Sequence, residues 1–404
     1  MIHTLYGDGI HDDAPAIQEL LDTYVEVRLP APERFYLISK TLVLRSGVSL
    51  VLPRFAEIRL KGGSNCLMLK NATVDDYAER ITSRLFSHVN RYSPDFECSD
   101  ISISGGIWNY NNKEQNPNPL SSGKYEPDGY SGFCFLFYNV RNLRLSSLTF
   151  KDPANFAVTL DTVSYFEVDN ISFDYNDGNL YQSNMDGIHI CGNCHHGHIG
   201  KLFGTCYDDI VALNAEEGSR GPISDITVSG IYTEGSYSAV RLLSASHECP
   251  VRNVHISDIH GTFYHFGIAF MRHYDTGMRG LFENITIDNV YGGKSSRDVV
   301  KFYLVHKYRK YGLIDIDRDV DIFNLSITNV HRREFVDSEV PTIAIQGGTV
   351  IRNFTLGNVS SVNLKDDNPM PLIVNDAEVD RLYAYSLSED GNAVIPDNKG
   401  CKNG

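Results

Sequence analysis

Three aspartates in two short groups are the residues of this chain best suited to chemistry. Asp186 lies in the segment Asn184–Ile190 (NMDGIHI), and the pair Asp208 and Asp209 begins 22 residues later (208 − 186). If the backbone coils with that period, the three carboxylates stack on neighbouring turns. Carboxylates held together in this way suit hydrolysis of a glycosidic bond, in which one group donates a proton and another activates water.

The elements that must position these acids begin with one helix and several short strands. Asp12–Leu21 begins with Asp12 and Asp13, which are expected to cap a helix, and has a proline in its first turn. Ile17, Leu20 and Leu21 fall on one face, which predicts an amphipathic helix. After Tyr24 the pattern changes and predicts five short strands, at Val25–Leu29, Phe35–Ile38, Val43–Leu44, Val48–Leu52 and Ile58–Leu60.

A repeated phrase of alternating apolar residues, Asn or Asp, and another short strand runs from Ile101 onward. Copies of the phrase begin at Phe166, Ile226, Val254, Ile285, Leu325 and Phe354. The first two are 60 residues apart, and His198–Phe203 supplies a further copy between them; the later copies are 28, 31, 40 and 29 residues apart. Repeats of this length, built from β-branched strands with Asn or Gly corners, are typical of a solenoid. We therefore predict an all-β fold, a right-handed parallel β-helix with an N-terminal capping α-helix. A single domain is expected, with the cap in residues 1–30, the coils in 31–385 and a C-terminal tail in 386–404.

Composition and charge narrow the class of partner. The chain has 404 residues, 42% hydrophobic and 22% charged, which is enough to bury a core. Its net charge of −15 argues against nucleic acid or an anionic membrane as partner, although a local basic patch would still permit an acidic polysaccharide. No stretch reaches the ~18 continuous apolar residues of a membrane span. No signal peptide is visible after Met1, so a cytoplasmic location is expected unless a leader has been removed from a secreted precursor.

The eight cysteines are scattered along the chain, unlike the dense framework of a small disulfide-rich domain. Cys191-x-x-Cys194 is followed by His195, His196 and His198, but no second matched cysteine pair completes a zinc site. A polar turn is the favoured interpretation, and neither a metal nor a cofactor is expected.

Long polar loops are where a solenoid builds the walls of a groove. Asn109–Gly132 is the longest such insertion and is predicted to form one wall of a cleft, with Leu304–Tyr311 and Val336–Pro341 as weaker candidates. Trp108, the only tryptophan, is expected either to stack on a sugar ring or to anchor the first of these loops.

Several motifs resemble those of a known enzyme family. Gly7–Gln18 (GDGIHDDAPAIQ) resembles the opening of pectate-lyase-superfamily β-helices, and Ser104–Asn109 (SGGIWN) resembles the Gly-Gly turn of the polygalacturonase group, glycoside hydrolase family 28. Asn184-Met185-Asp186 resembles that family's Asn-Thr-Asp motif, and Asp208-Asp209 its Asp-Asp motif. The resemblance covers about residues 1–290. It implies hydrolysis with inversion, with Asp208 as general acid, Asp186 and Asp209 holding and deprotonating the attacking water, and Asn184 orienting a neighbour.

Two family motifs are missing from the expected places. The segment Glu234–Arg241 stands where the family has Gly-His-Gly and contains no histidine, so Tyr237 or Arg241 is expected to occupy that space. The family's Arg-x-Lys motif, which binds a galacturonate carboxylate, would fall near Gly267–His273, where only Arg272 and His273 offer charge. Arg272 and His273, like Tyr237 and Arg241, are therefore expected to bind substrate. The sugar at the cleavage site is therefore expected to be neutral or differently charged.

Three functions remain open from the sequence. The leading hypothesis is an inverting glycoside hydrolase acting on a pectin-like or related polysaccharide or oligosaccharide; inversion needs carboxyls about 6.5–9.5 Å apart. The second is a polysaccharide lyase or uronate epimerase on the same scaffold, in which the aspartates would bind calcium. The third is a non-catalytic carbohydrate-binding or tailspike-like module. A carbohydrate partner is common to all three, and the chain is expected to be a monomer or a homo-oligomer, with a trimer as one option.

Overall fold

The computed structural model describes residues 3–74, 97–116, 132–175, 184–273, 277–295, 311–336, 338–365 and 370–395. Most of the predicted walls Asn109–Gly132 and Leu304–Tyr311 lie outside these residues. The described chain contains the helix α1 (Ala14–Thr23), one turn of 3-10 helix (Asn112–Glu114) and short strands that recur coil after coil. Nearly all strand pairs are parallel, the last, short pair being antiparallel, and the chain forms the predicted right-handed parallel β-helix.

One strand of each coil belongs to sheet B, which has eleven strands. Its members are β3 (Leu42–Leu44), β6 (Leu69–Asn71), β9 (Phe135–Tyr138), β12 (Val158–Asp161), β14 (Ile188–Ile190), β16 (Asp209–Asn214), β18 (Ser238–Leu243), β20 (Ile268–Met271), β22 (Ile314–Ile316), β24 (Ile343–Ile345) and β26 (Ile373–Asn375).

The remaining strands form sheet A, which wraps around the rest of each coil. They are β1 (Glu26–Arg28), β2 (Tyr36–Ile38), β4 (Ser49–Val51), β5 (Glu57–Leu60), β7 (Cys98–Ser104), β8 (Ile107–Asn109), β10 (Val140–Ser146), β11 (Thr149–Lys151), β13 (Ser164–Asp174), β15 (His195–Thr205), β17 (Ile223–Ser236), β19 (Val251–Phe263), β21 (Gly280–Lys294), β23 (Val320–Glu334), β25 (Val350–Asn363), β27 (Glu378–Val379), β28 (Leu382–Glu389) and β29 (Asn392–Ala393).

The Asn and Asp residues of the repeated phrase turn the long strands of sheet A. Asn170, Asp258, Asn289, Asn329 and Asn358 all adopt φ between 51° and 61° at matching positions, and Lys201 and Gly230 take this position, with φ of 52° and 73°, in the two coils between Asn170 and Asp258. Asparagine and aspartate tolerate this left-handed conformation better than other residues with a Cβ. Each long strand therefore changes direction at this position.

A second corner carries a ladder of asparagine side chains along the outside of the helix. Amide nitrogens donate to the oxygen of the preceding coil at 2.7–2.8 Å, in the series Asp225, Asn253, Asn284, Asn324 and Asn353. The ladder fixes the register between coils at a position where the backbone turns.

Inward positions stack into apolar columns that run the length of the core. One column is completely buried and consists of Val168, Ile199, Val228, Ile256, Ile287, Ile327 and Leu356, each paired in register with the next. This stacking explains why the repeat could be detected, because every coil must supply an apolar residue at the same place.

The predicted cap is present, with one correction to its details. α1 buries Ala14, Ala16, Ile17 and Leu21 on the first coils. Asp12 accepts a hydrogen bond from the Ala14 N–H at 3.1 Å, as a helix cap does. Asp13 holds the N-cap position, but its carboxylate accepts from the N–H groups of Tyr6, Gly7 and Leu37 instead, so its predicted capping role is wrong.

At the other end, β28 pairs with β25 as far as Glu389, a few residues beyond the predicted end of the coils at 385. In the described part of the chain, no helix is long and apolar enough to cross a membrane.

The core column leads to a stability prediction. Replacing Ile256 with Ala should lower the free energy of unfolding by about 2–5 kcal/mol, because the cavity lies between two buried neighbours, Val228 and Ile287. The adjacent His255 is exposed, so His255→Ala should change stability by less than about 0.5 kcal/mol. Urea-denaturation midpoints of the two variants should therefore differ, and equal midpoints would contradict the stacked core.

Candidate active site

The two acidic motifs meet on sheet B. Ile188 in β14 pairs with Val211 in β16, a register that places Asp186 beside Asp209 on adjacent coils. Asp208 lies in the turn just before β16, so the chain bends between Asp208 and Asp209, and both side chains can reach the same site. One oxygen from each of the three carboxylates lies within 4.8 Å of the other two.

Asp209 is fixed by groups from the next coil, β18. The hydroxyl of Ser238, its register partner, donates to Oδ1, and Nε of Arg241 lies 2.7 Å from Oδ2. Burial raises the pKa of Asp209 to about 6, and the charge of Asp186 adds to this, while Arg241 and Ser238 oppose it. Asp209 is therefore a buried acid that its partners keep ionised at neutral pH.

Asp208 differs from its two neighbours because its side chain is partly exposed. Loss of hydration and the negative charges of Asp209 and Asp186 raise the pKa of Asp208 well above the usual range, against smaller opposing effects of Arg241 and the Asn184 N–H. A carboxyl group that keeps its proton at neutral pH and reaches the surface can act as a proton donor.

Asp186 has two partners of its own. Its Oδ2 lies 2.7 Å from Nδ1 of His189, and its Oδ1 accepts the Asp209 N–H at 3.2 Å. His189 is completely buried, and its Nε2 lies 3.1 Å from Oε2 of Glu217. Burial alone would lower the pKa of His189, but the two carboxylates outweigh it and raise the pKa to about 9.

Sequence reasoning missed His189, Glu217 and Ser238. His189 follows Asp186 by three residues within the same short motif, and that proximity was an available signal. Glu217 and Ser238 gave none, because only the stacking of coils brings them to the acids.

Asp161 in β12 holds the turn that carries Glu217. Oδ2 of Asp161 accepts the Ser219 N–H at 2.8 Å, and Oδ1 accepts from the Thr162 hydroxyl at 3.0 Å. Asp161 is completely buried, and burial raises its pKa to about 6.

The other residues singled out from the sequence are spread around the acids. Tyr237 immediately precedes Ser238 and packs, largely buried, with Met185, Tyr207 and Tyr264. His273 follows β20, and burial lowers its pKa. The positive charge of Arg241 lowers the pKa of His273 further.

Arg272 is turned away from the acidic cluster. Its Nη1 donates to Met278 O at 3.1 Å, and its Nη2 lies 4.0 Å from Asp319. The structure therefore does not bring Arg272 together with the three aspartates.

Trp108 lies in the core. Its ring is completely buried against Phe135, at 4.6 Å between centroids, and its indole N–H donates to Gly105 O at 3.3 Å. The expectation that Trp108 stacks on a sugar is therefore wrong, because no ligand can reach the ring.

A cluster of three carboxylates raises the question of a bound cation. Arg241 already lies 2.7 Å from Asp209 and His189 2.7 Å from Asp186, so two of the three acids are neutralised by the chain itself. We therefore do not assign the aspartates as metal ligands. Cys191 and Cys194 are buried free thiols whose pKa values are raised by burial, which disfavours the thiolates that zinc needs.

Comparison with known proteins adds evidence on the fold. No protein-family model matches the chain, and no curated protein matches it. Among solved structures, a tailspike protein of E. coli bacteriophage HK620, a double mutant in complex with a pentasaccharide, superposes with a TM-score of 0.61 at 12% identity, covering 93% of this chain and 64% of the tailspike. A family 28 exopolygalacturonase of Yersinia enterocolitica gives 0.51 at 14% identity, covering 96% and 78%. The surface protein and adhesin PfbA of Streptococcus pneumoniae gives 0.54 at 15% identity, covering 95% of each chain.

These likenesses establish the architecture that the sequence predicts. Identities of 12–15% show a shared right-handed β-helix and carry neither a family nor an activity across. The three compared proteins are a tailspike, an exopolygalacturonase and an adhesin, so the same architecture occurs in proteins of different kinds.

The raised pKa of Asp161 leads to a prediction on stability and pH. Its pKa is about 6 in the folded protein and lower in the unfolded chain, so folding takes up a proton between about pH 4 and 6. Its contribution to stability is therefore present at low pH and is lost as the pH rises through about 6. Asp161→Asn should remove this loss, so that melting temperature falls less from pH 4 to 6.5 than in the wild type. The exposed Asp380→Asn should retain the wild-type slope, and parallel slopes for wild type and Asp161→Asn would contradict the assignment.

Proposed function

We propose that this chain is a glycoside hydrolase that cleaves glycosidic bonds of a pectin-like or related polysaccharide or oligosaccharide. The observation that carries the proposal is the contrast within one cluster: Asp208 is partly exposed and its pKa is raised well above the usual range, whereas Asp186 and Asp209 each lie 2.7 Å from a cationic side chain. Asp208 would protonate the leaving oxygen of the glycosidic bond. Asp186 and Asp209 would hold the attacking water and take its proton.

The groups that contact Asp186 and Asp209 suit the roles proposed for the three acids. Arg241 and the Ser238 hydroxyl fix the two oxygens of Asp209, and His189 and the Asp209 N–H fix those of Asp186. Carboxylates oriented in advance lose little freedom when a water molecule binds between them. Asp208 lacks a cation of its own at hydrogen-bond distance among the ion pairs of the described residues, which favours the protonated acid.

Inversion is part of the proposal, and the carboxylate spacing bears on it. Oxygens within 4.8 Å are closer than the about 6.5–9.5 Å separation usual for inverting enzymes and nearer the about 5–5.5 Å of retaining ones. Retention, however, requires one carboxylate to attack the sugar. Both oxygens of Asp186 and Oδ1 of Asp209 take part in hydrogen bonds, and Oδ2 of Asp209 is ion-paired with Arg241, which weakens these carboxylates as nucleophiles and favours attack by water.

We further propose that the sugar at the cleavage site carries no carboxylate. Arg241 is neutralised by Asp209, and Arg272 is directed toward Asp319 and Met278. Asp186, Asp208, Asp209 and Glu217 make the surroundings acidic, which disfavours a uronate. A neutral sugar fits this charge balance better.

A non-catalytic carbohydrate-binding module is the second candidate. The likeness to an adhesin and to a tailspike bound to a pentasaccharide favours it, because β-helices of this shape also occur in those proteins. Binding of a glycan without release of products would support this candidate over the hydrolase.

Removal of the acid gives the most direct test. Asp208→Asn should lower kcat by about 10²–10⁴-fold, because the amide cannot protonate a leaving oxygen. Asp380→Asn, an exposed substitution near the end of the solenoid, should leave kcat unchanged. Circular dichroism would verify that both variants are folded, and full activity in Asp208→Asn would remove the proposal.

The substrate and the stereochemistry can be read from one experiment. The wild-type protein is incubated with a panel of neutral and uronate-containing glycans, and the first products are followed by nuclear magnetic resonance. We expect cleavage of a glycan that is neutral at the cleaved residue, with release of the inverted anomer. The retained anomer would overturn inversion alone, whereas an unsaturated product absorbing in the ultraviolet, lost on adding a chelator, would identify a lyase.

A further inference from the structure

His189 is a buried imidazole with a carboxylate at each nitrogen. Nδ1 lies 2.7 Å from Asp186 and Nε2 lies 3.1 Å from Glu217. Ionised carboxylates only accept hydrogen bonds, so a ring placed between two of them is satisfied when both nitrogens carry protons. The ring also stacks on Phe156, at 4.1 Å between centroids and 7° between planes, which favours a cation.

Glu217 is directed at His189 by a contact from its own coil and by a contact from β12 to its turn. Asn214 donates to its Oε2 at 2.7 Å, and Asp161 holds the same turn through the Ser219 N–H. The adjacent Glu216 faces the opposite way, where it accepts from the Ser246 hydroxyl at 2.8 Å and from the Ala245 N–H of the next coil. The turn is therefore built to present one of two consecutive glutamates to the buried histidine.

We propose that Glu217 and His189 are positioning residues that hold a positive charge beside Asp186, in the same cluster as Asp208. Glu217, His189 and Asp186 form a chain of alternating charge, here called the Glu–His–Asp chain. This inference rests on the proposed function in giving Asp186 the role of base. The charge state of the chain itself is independent of any substrate.

The Glu–His–Asp chain compensates for the mutual repulsion of the three clustered carboxylates. Three carboxylates within 4.8 Å disfavour one another's ionisation, so without compensation a proton could settle on any of them. A cation beside Asp186 and another beside Asp209 leave Asp208 as the group that retains the proton. Glu217 in turn stabilises the cation on His189, whose other charged neighbours are Asp186, Asp161 and Asp209.

The protonation of His189 can be measured without a substrate. Protein labelled with ¹⁵N in its histidines is titrated by nuclear magnetic resonance, and His189→Gln identifies the His189 signals among the 14 histidines. In the wild type, both ring nitrogens of His189 should be protonated at pH 7. Glu217→Gln keeps the shape and one acceptor but removes the charge, so the titration midpoint of His189 should fall by about 1–2 pH units.

Glu216→Gln is the matched control, because the same change is made one residue away on a side chain that does not face His189. It should leave the His189 titration at its wild-type position. A neutral His189 in the wild type at pH 7, or equal midpoints in wild type and Glu217→Gln, would overturn the inference.

The role in catalysis needs a second measurement, on a glycan that the wild type cleaves. Glu217→Gln should move the basic limb of the kcat–pH profile to lower pH by the same amount as the His189 titration, with KM little changed. A profile lowered uniformly, with no shift of the limb, would show a structural role only and overturn the inference. If no glycan is cleaved while the titration behaves as expected, the hydrolase proposal fails and the charge state of the Glu–His–Asp chain stands.

Discussion

In-register pairing of parallel coils is the constraint on which the rest of this structure depends. Residues at the same position of successive coils lie about 4.8 Å apart, whatever number of residues separates them along the chain. Asp186 and Asp209 are neighbours for this reason, and Ser238 is the next member of the same column. The candidate site is therefore a set of columns on sheet B, and its geometry is as rigid as the ladder of backbone hydrogen bonds beneath it.

Such stacking has an electrostatic cost, because it buries like charges side by side. An ionised carboxylate withdrawn from water is unstable unless it is paired and hydrogen-bonded. Arg241 from the following coil and His189 from the first acidic motif supply the compensating charges. The same compensation separates the three acids into two roles, because it reaches Asp186 and Asp209 directly and Asp208 only at longer range.

The sequence predicts the parts of this molecule that repeat. Apolar columns run through successive coils and left-handed Asn or Asp corners recur in many of them, so they leave a period in the sequence, and the three aspartates could be grouped from that period. What does not repeat was not predictable. Glu217 reaches His189 through a single turn after β16, and Trp108 is buried because of its particular place in β8, which neither composition nor spacing reveals. Asp13 was misassigned for a related reason: its acceptors are used by backbone groups far along the chain, including Leu37.

The supporting groups come from several coils, and this distribution bears on how such a site can change. Asp161, His189, Glu217, Ser238 and Arg241 lie on four successive coils around the acids. His189 and Arg241 act through side chains on fixed strands, so exchanging one of them alters the charge balance around the acids. The acids, in contrast, depend on the register of their coils, and a shift of one residue would aim them to the other face of the sheet. A β-helix can thus tune the protonation of its acids one neighbour at a time while the acids themselves remain in place.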